Sequence, residues 1–409
     1  MIDVHARAFL VRGISMNQST TGDFSLETDE TVWQAMRSEM LLPSLHMDHA
    51  GVSPWPDRSL KAVVDWAEQA AVDPIQASMA GYSRADQVRG EIADWLGVGN
   101  LEICYTRNTT EGLTHISEGF PWQAGDNVVV PADEYPTNLH PWHHLRSKGV
   151  EVREVPSVNH RIPIDAIEKA INCTTRMLSI SFVQYGTGFR ADLAGLGKLC
   201  AKHGLFFTVD AIQGLGVLPI RPRELGIHAF ASGGSKWLLG PQGVGFLFLD
   251  QAWREQVRPI SVGWHSVEEP FRFRHELPPL AASSKRYEGG TINPGLVSAL
   301  GQSISFLRQP SPVQWASRIR MLTERLAGGL QALGLAVISP REDGAWSGII
   351  AAKVPGLPEV EYSGWLKKLR EMGITANYRM GNLRFSPHGY NNLADIDRLL
   401  GAIQRLIEN

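Results

Sequence analysis

From about residue 88 the sequence alternates short apolar, β-branched runs with amphipathic stretches, and this rhythm leaves few architectures open. The runs are Glu102–Thr106, Asn127–Pro131, Glu151–Val155, Met177–Val183, Leu205–Asp210 and Phe230–Ser232. Between them, Glu111–Gly119, Pro163–Ile171 and Leu193–His203 carry apolar residues at helical spacing. Strand–helix–strand repetition of this length implies right-handed crossovers and a mainly parallel sheet with helices on both faces. The next run, Gly243–Asp250, follows Lys236 after a short turn at Gly240–Pro241. Too little chain remains there for a helical crossover, so this run is expected to add antiparallel.

After Asn293 the texture changes. A long helical pattern, broken by Gln309–Pro312, runs to about Leu333. Two strand pairs are expected beyond it, Ala336–Ser339 with Gly348–Val354 and Ile374–Asn377 with Leu383–Ser386, accompanied by helices at Val360–Met372 and Leu393–Ile407. This predicts a small α+β domain packed on the large one, with the active cleft between them.

Composition bounds the partners. With 43% hydrophobic and 20% charged residues the chain suits a globular protein, and a formal charge of -3 gives no electrostatic reason to expect nucleic acid or an anionic membrane. No apolar run is long enough to cross a bilayer. The opening MIDVHARAFLVRGISMNQST lacks the hydrophobic region and cleavage site of a signal peptide, and Met16 is an alternative start that would make the first fifteen residues an extension. Cys104, Cys173 and Cys200 form no CxxC or Cys/His cluster, so no metal site or disulfide framework is expected. Each lies in or beside an apolar stretch, which predicts buried reduced thiols and a cytoplasmic location.

Four segments carry chemistry. In LFFTVDAIQ an apolar strand ends at Asp210, with Gln213 three residues later. Ligands gather at the carboxyl ends of strands in such sheets, and a carboxylate there can hold a pyridine nitrogen protonated. In SGGSKWLLGPQGVG, Lys236 stands in a Gly/Ser-rich loop between apolar strands, where an enclosed amine can lose its proton and attack an aldehyde carbon. In TRNTTEGL, Thr109 and Thr110 open a helix after the first strand, a ready seat for a phosphate. In YEGGTINPG, Gly289–Gly290 permit close backbone approach, and Thr291 can donate to a phosphate. Each also has a plainer structural reading: a turn, a lysine stem packed on Trp237, a helix cap and a glycine turn.

Together and in this order, the motifs resemble the class V aminotransferase family of fold-type I pyridoxal-phosphate (PLP) enzymes, which includes cysteine desulfurases, isopenicillin N epimerase and kynureninase. LHMDHAGVSP, TTEG, GDNVVVPADEYPTNLHPW, VDAIQ and GGSKWLLGPQGVGFL all carry the likeness, which runs from about Leu45 to the end. The resemblance implies an α/β protein of PLP-dependent transferase fold type I, its large domain built on a mainly parallel seven-stranded sheet with a small α+β C-terminal domain. Residues 1–44 would form an extension packing on the small domain, 45–300 the PLP-binding domain and 301–409 the small domain. It further implies that Lys236 holds the cofactor as a Schiff base and moves protons at the substrate α-carbon. Asp210 would pair with the pyridine nitrogen, and Gln213 with the phenolic oxygen. Thr109, Thr110 and Ser235 would cradle the phosphate, with Thr291 reaching it from the neighbouring subunit of a homodimer. Gln184 lies in a segment expected to turn toward the bound molecules. Tyr135 stands where many relatives have a stacking histidine, and its ring can still cover the pyridine face.

Arg384, between Leu383 and Phe385, points away from those apolar neighbours by strand alternation and is expected to grip an α-carboxylate. His49, Tyr185, Trp264 and His265 fall in segments the family turns toward the substrate; Arg272 and Arg274 are candidates for a second anionic group. Cysteine desulfurases need a thiolate shortly before the carboxylate arginine, yet Thr375–Arg384, TANYRMGNLR, contains none. Amino transfer, epimerisation and β-elimination on a small amino-acid substrate remain, including C–S cleavage of a cysteine conjugate. A PLP-binding module without turnover is the contrasting reading; the intact set of Lys236, Asp210, Gln213 and Arg384 argues against it.

Overall fold

The computed structural model describes residues 30–408; the alternative start at Met16 and the signal-peptide question lie outside them. Strand β1 (Leu45–His46) precedes a seven-stranded sheet formed by β2 (Ile103–Thr106), β3 (Asn127–Pro131), β4 (Glu151–Val155), β5 (Thr175–Ser181), β6 (Phe206–Asp210), β7 (Ala229–Gly233) and β8 (Gly245–Leu249). Its order is β2-β8-β7-β6-β5-β3-β4, and only β8 runs against its neighbours. The expected antiparallel addition after Lys236 is therefore found. β3, β6, β7 and β8 are buried at every residue, as strands covered on both faces must be. Because six strands share one direction, the loops that leave β2, β3, β5, β6 and β7 meet along one edge.

Helix α1 (Glu30–Ser38) comes first; α2 (Asp57–Val72), α3 (Pro74–Leu96), α4 (Thr109–Gly119), α5 (His140–His144), α6 (Ile164–Ala170), α7 (Leu193–His203) and α8 (Pro294–Leu307) follow among and around the strands of this sheet. α2 and α3 lie before the rhythm becomes legible. They are divided at Asp73–Pro74, where proline opens α3 and the Asp73 carboxylate accepts from the amide of Gln76 at 3.1 Å. α4 is drawn onto β7 by a glycine: a Cβ on Gly112 would sit 2.6 Å from that of Ala231. This close approach brings the start of α4 to the end of β7.

The C-terminal part contains a four-stranded antiparallel sheet of β9 (Ala336–Val337), β10 (Ile350–Lys353), β12 (Asn377–Arg379) and β13 (Asn382–Phe385), ordered β12-β13-β10-β9. α9 (Pro312–Ala332), α10 (Tyr362–Glu371) and α11 (Leu393–Glu408) pack with it around Leu322, Leu326, Ile350, Leu383, Phe385 and Leu399. One expected strand divides. Ile374–Thr375, β11, pairs parallel with β1 instead of with the hairpin partner, and only Asn377–Arg379 faces β13. The early segment thus enters the C-terminal part, which sequence periodicity cannot reveal across so long a separation. α1 lies there too, with Trp33 edge-on to Trp315 at 5.0 Å and Glu30 paired with Arg318 at 2.8 Å.

The thiols correct a second expectation. Cys104 and Cys200 are buried, but Cys173 is exposed, in the turn between α6 (Ile164–Ala170) and β5. Among the described residues no helix is long and apolar enough to cross a membrane.

A buried ion pair ties the sheet edge to the segment after β8. Glu288 accepts from Arg89 at 2.7 Å and from the amide of Tyr105 at 2.7 Å, while Arg89 also donates to the Ile103 carbonyl at 2.7 Å. Replacing Glu288 by alanine leaves the buried guanidinium with only the exposed Asp86, 3.6 Å from its Nε, as counter-charge, and breaks of a buried pair cost about 3–5 kcal/mol. Glu288→Ala is expected to lower the urea midpoint accordingly; an unchanged midpoint would show the pair to be dispensable.

Candidate active site

The shared edge assembles the site. Asp210 closes β6, Lys236 stands in the loop after β7, and the loop after β3 carries Glu134 and Tyr135. Lys236 is half-buried, and its Nζ lies 5.6 Å from the centre of the Tyr135 ring. That amine makes no hydrogen bond or ion pair with any described residue. Lost hydration lowers it to about 8; Asp210 opposes that shift and Arg384 adds to it. Asp210 is buried, and burial raises its carboxyl to about 6 despite the Ile212 amide, which donates to Oδ1 at 3.0 Å, and the charge of Lys236. A buried carboxylate with one oxygen unengaged calls for a cationic or proton-donating partner.

Glu134 lies beneath the same floor. Its Oε1 accepts from the amide of Ser181 at 2.6 Å, and its Oε2 from the Ser181 hydroxyl. Burial pushes it up to about 7, and Asp210 adds to that shift. Two carboxyls so placed resist ionising together.

At the start of α4, Asn108 accepts from the amide of Glu111 at 2.9 Å. The Thr109 hydroxyl accepts from the Gly233 amide at 2.9 Å, and the Thr110 hydroxyl meets that of Thr137 at 2.9 Å. The first-turn amides of Thr109 and Thr110 have no acceptor among the described residues, which is the condition a helix offers to an anion. Ser235 sits beside Lys236, its carbonyl bonded to the Ser53 amide at 2.9 Å. These features fit PLP: an unpartnered amine of lowered basicity, an underused buried carboxylate and a helix start open to phosphate.

Above the amine, Tyr185 stands edge-on to Tyr135 with ring centres 5.0 Å apart. Arg384 lies on β13 with its apolar neighbours turned into the core, as alternation requires. Its guanidinium is not open, however. Nη1 donates to the Tyr185 carbonyl at 2.9 Å, Nη2 to Asp48 at 2.9 Å, and Nε is buried without a partner. Asp48 also accepts from Asn377 at 2.8 Å.

Several of the expected site residues are engaged by the chain itself or lie away from Lys236. His49 is wholly buried: one ring nitrogen meets the Ser386 carbonyl at 2.7 Å, the other the Tyr390 hydroxyl at 2.6 Å. Burial drives it well below the ordinary histidine range, which favours the neutral ring, and both of its nitrogens are engaged. Gln184 is also engaged by the chain. Its oxygen accepts from the amides of Gly186 and Thr187 at 2.6 Å, and its nitrogen donates to the Asp133 carbonyl at 2.7 Å. Gln213 bridges the Ala50 carbonyl at 3.0 Å and Trp237 Nε1 at 2.8 Å, leaving one N–H for another acceptor. Trp264 and His265 pack with Tyr82, ring centres 6.3 and 5.4 Å away, and not at Lys236. Thr291 is exposed in a groove with Trp66, Pro74 and Ala77. Arg272 and Arg274 both pair with Glu269, at 2.8 and 2.7 Å.

Sequence reasoning did not single out Asp48, Glu134, Thr137 or Arg379. The first three sit inside the recognised motifs DHAG and ADEYPTN, so position in those motifs was the available signal. Arg379 could have been found by extending the alternation of Arg384 back across the short turn.

The Aminotransferase class-V family pattern matches residues 45–399. The chain belongs to the class V aminotransferase family. It is 25% identical over 348 residues to a probable cysteine desulfurase of Pyrococcus abyssi, covering 81% of this chain and 85% of that one. Two solved structures of C-DES share the fold. One has glycine covalently linked to the PLP cofactor, with 22% identity, TM-score 0.83 and 92% and 99% of the two chains covered. The other, described as a cystine C–S lyase with cysteine persulfide, has 23% identity, TM-score 0.82 and 89% and 98% coverage.

The lowered basicity of Lys236 fixes the sign of a pH dependence. Only the neutral amine attacks an aldehyde, and it dominates above about 8. Capture of PLP by cofactor-free protein should accelerate by about tenfold per pH unit below that value and level off above it. A rate still climbing past pH 10 would show that Lys236 keeps an ordinary ammonium.

Proposed function

We propose that this class V protein is a PLP-dependent enzyme that transforms an amino acid by removing its α-proton. The observation that carries the reading is Lys236, a half-buried amine without hydrogen-bond or ion-pair partner among the described residues, 5.6 Å from the centre of the Tyr135 ring and within the field of the Asp210 carboxylate. PLP, when bound, supplies an electron sink for the charge left at the substrate α-carbon. The chain's own residues supply the rest. Asp210 keeps a proton on the ring nitrogen. Tyr135 covers one ring face. Thr109, Thr110 and Ser235 receive the phosphate, and the remaining N–H of Gln213 serves the phenolic oxygen. Arg384 orients the α-carboxylate, and Lys236 moves the proton at the α-carbon.

The reaction is read as amino transfer or isopenicillin N epimerase-like inversion. A second reading, C–S β-lysis of a cysteine conjugate, is favoured by the likeness to the cystine C–S lyase. Persulfide-forming desulfuration is disfavoured: no thiol lies in Thr375–Arg384, Cys104 and Cys200 are buried, and the exposed Cys173 stands at the amino end of β5, the sheet edge opposite Asp210.

We place the PLP-binding domain at residues 45–300 and read the functional unit as a homodimer. Leu60, Val64, Val72, Ile75 and Met79 expose an apolar face on α2 and α3 beside the groove that holds Thr291. A second copy covering this face would bury it and carry Thr291, Trp264 and His265 toward the partner's site. Free, unpaired thiols accord with a cytoplasmic location.

Incubating the PLP-loaded protein with amino acids and thioether conjugates, with and without keto acids, separates the reactions by product mass. Keto-acid-dependent amino transfer marks a transaminase, inversion alone an epimerase, and pyruvate with ammonia a lyase. Lys236→Ala should abolish the borohydride-fixable bond to PLP and slow turnover by about 10²–10⁴-fold through loss of the base alone. Full activity in that variant would refute the assignment. Sedimentation of the loaded protein as a single 45.1 kDa chain would refute the dimer.

A further inference from the structure

The hairpin that carries Arg384 carries a second guanidinium on the same face. In the β12–β13 register Asn377 stands opposite Arg384 and Arg379 opposite Asn382. Side chains alternate along a strand, so Asn377 and Arg379 share the face of Arg384. Contacts agree. Asn377 donates to Asp48 at 2.8 Å, and Asp48 accepts from Arg384 at 2.9 Å. The Asn377 oxygen accepts from Arg379 Nη1 at 2.7 Å, which also donates to the Tyr378 carbonyl at 2.7 Å. Arg379 is thereby folded back over Asn377, next to the Arg384–Asp48 pair.

The turn that follows reaches the other wall of the cleft. Met380, at φ 50°, places its sulfur 3.5 Å from Gln184 Nε2, and a Cβ on Gly186 would lie 2.3 Å from that sulfur. Tyr185, between these two contact points, faces Tyr135 above Lys236. Arg379 accordingly stands at the cleft, and its charge is felt by Lys236, Tyr185 and Arg384.

The two arginines differ in their partners. Arg384 has Asp48, and its orphaned Nε awaits one further acceptor. Arg379 has no acidic partner among the described residues, and its Nε and Nη2 bond to none of them. The other cations considered for a second anion, Arg272 and Arg274, are held by Glu269. A half-buried guanidinium fixed at one nitrogen and open at two others is arranged for bidentate capture of an anion.

We propose that Arg379 receives a second anionic group on the substrate, so that the preferred substrates are α-amino acids whose side chains end in a carboxylate, sulfinate or sulfonate. This rests on the amino-acid reading above and specifies its substrate class. Arg384 takes the α-carboxylate and Arg379 the distal anion, while Asn377 holds both guanidiniums in register through Asp48.

The test uses PLP-loaded protein with matched amino acids: aspartate, glutamate and cysteine sulfinate against alanine, 2-aminobutyrate and norvaline. Spectral titration gives binding, and turnover gives kcat/KM. The wild type should favour the acidic set by about 10- to 100-fold, the range of a charge-assisted hydrogen bond. In Arg379→Gln that ratio should collapse toward unity, chiefly through KM. In Arg384→Gln both sets should weaken with the ratio retained. Arg379→Lys, which keeps the charge, should retain part of the preference and serves if the glutamine variant does not hold cofactor. A wild type that treats both sets alike, or an Arg379→Gln that weakens both by the same factor, overturns the assignment while leaving the PLP reading intact. Absence of a yellow PLP band, or a band no amino acid perturbs, overturns the underlying reading and this one with it.

Discussion

The site depends on one electrostatic constraint, the burial of Asp210 and Lys236 at neighbouring strand ends. Each is pushed toward its neutral form by lost hydration, the acid up to about 6 and the amine down to about 8, and each partly restrains the other. The sheet makes this possible. Two fully buried strands deliver the groups to one edge, and the tight packing of Gly112 on Ala231 brings the α4 start beside them. A ligand that carries a ring nitrogen, an aldehyde and a phosphate meets all three features at once. No single feature would select it.

Much of the large sheet was legible because buried parallel strands read as uninterrupted apolar runs. Asn127–Pro131 coincides with the expected limits, as does the largely exposed edge strand Glu151–Val155, marked instead by its β-branched valines, and the antiparallel addition followed from the short chain after Lys236. α2 escaped notice because it buries little and keeps Leu60, Val64 and Val72 exposed, which blurs the amphipathic stripe. The divided strand at Ile374–Asn377 escaped because its partner, Leu45–His46, lies more than three hundred residues away.

Within the site, residues whose role depends on strand position were readable and those whose role depends on a distant partner were not. Asp210, Lys236, Thr109 and Tyr135 occupy strand ends and the loops after them, and the fold brings them to one edge of the sheet. His49 and Gln184 are polar residues in the right segments, but neighbouring backbone groups satisfy them, and no local pattern reports that. Arg384 was correctly oriented by alternation, yet its pairing with Asp48 joins two ends of the sequence.

That pairing has a bearing on how the protein is made. Asp48 and Arg384 are separated by 336 positions, and β1 can find β11 only after nearly the whole polypeptide has left the ribosome. During synthesis the large sheet can collapse around its own apolar strands while the early segment still waits for its mate. The Arg384–Asp48 pair is thus among the last contacts to form, so a truncated translation product would lack it even if its sheet were sound.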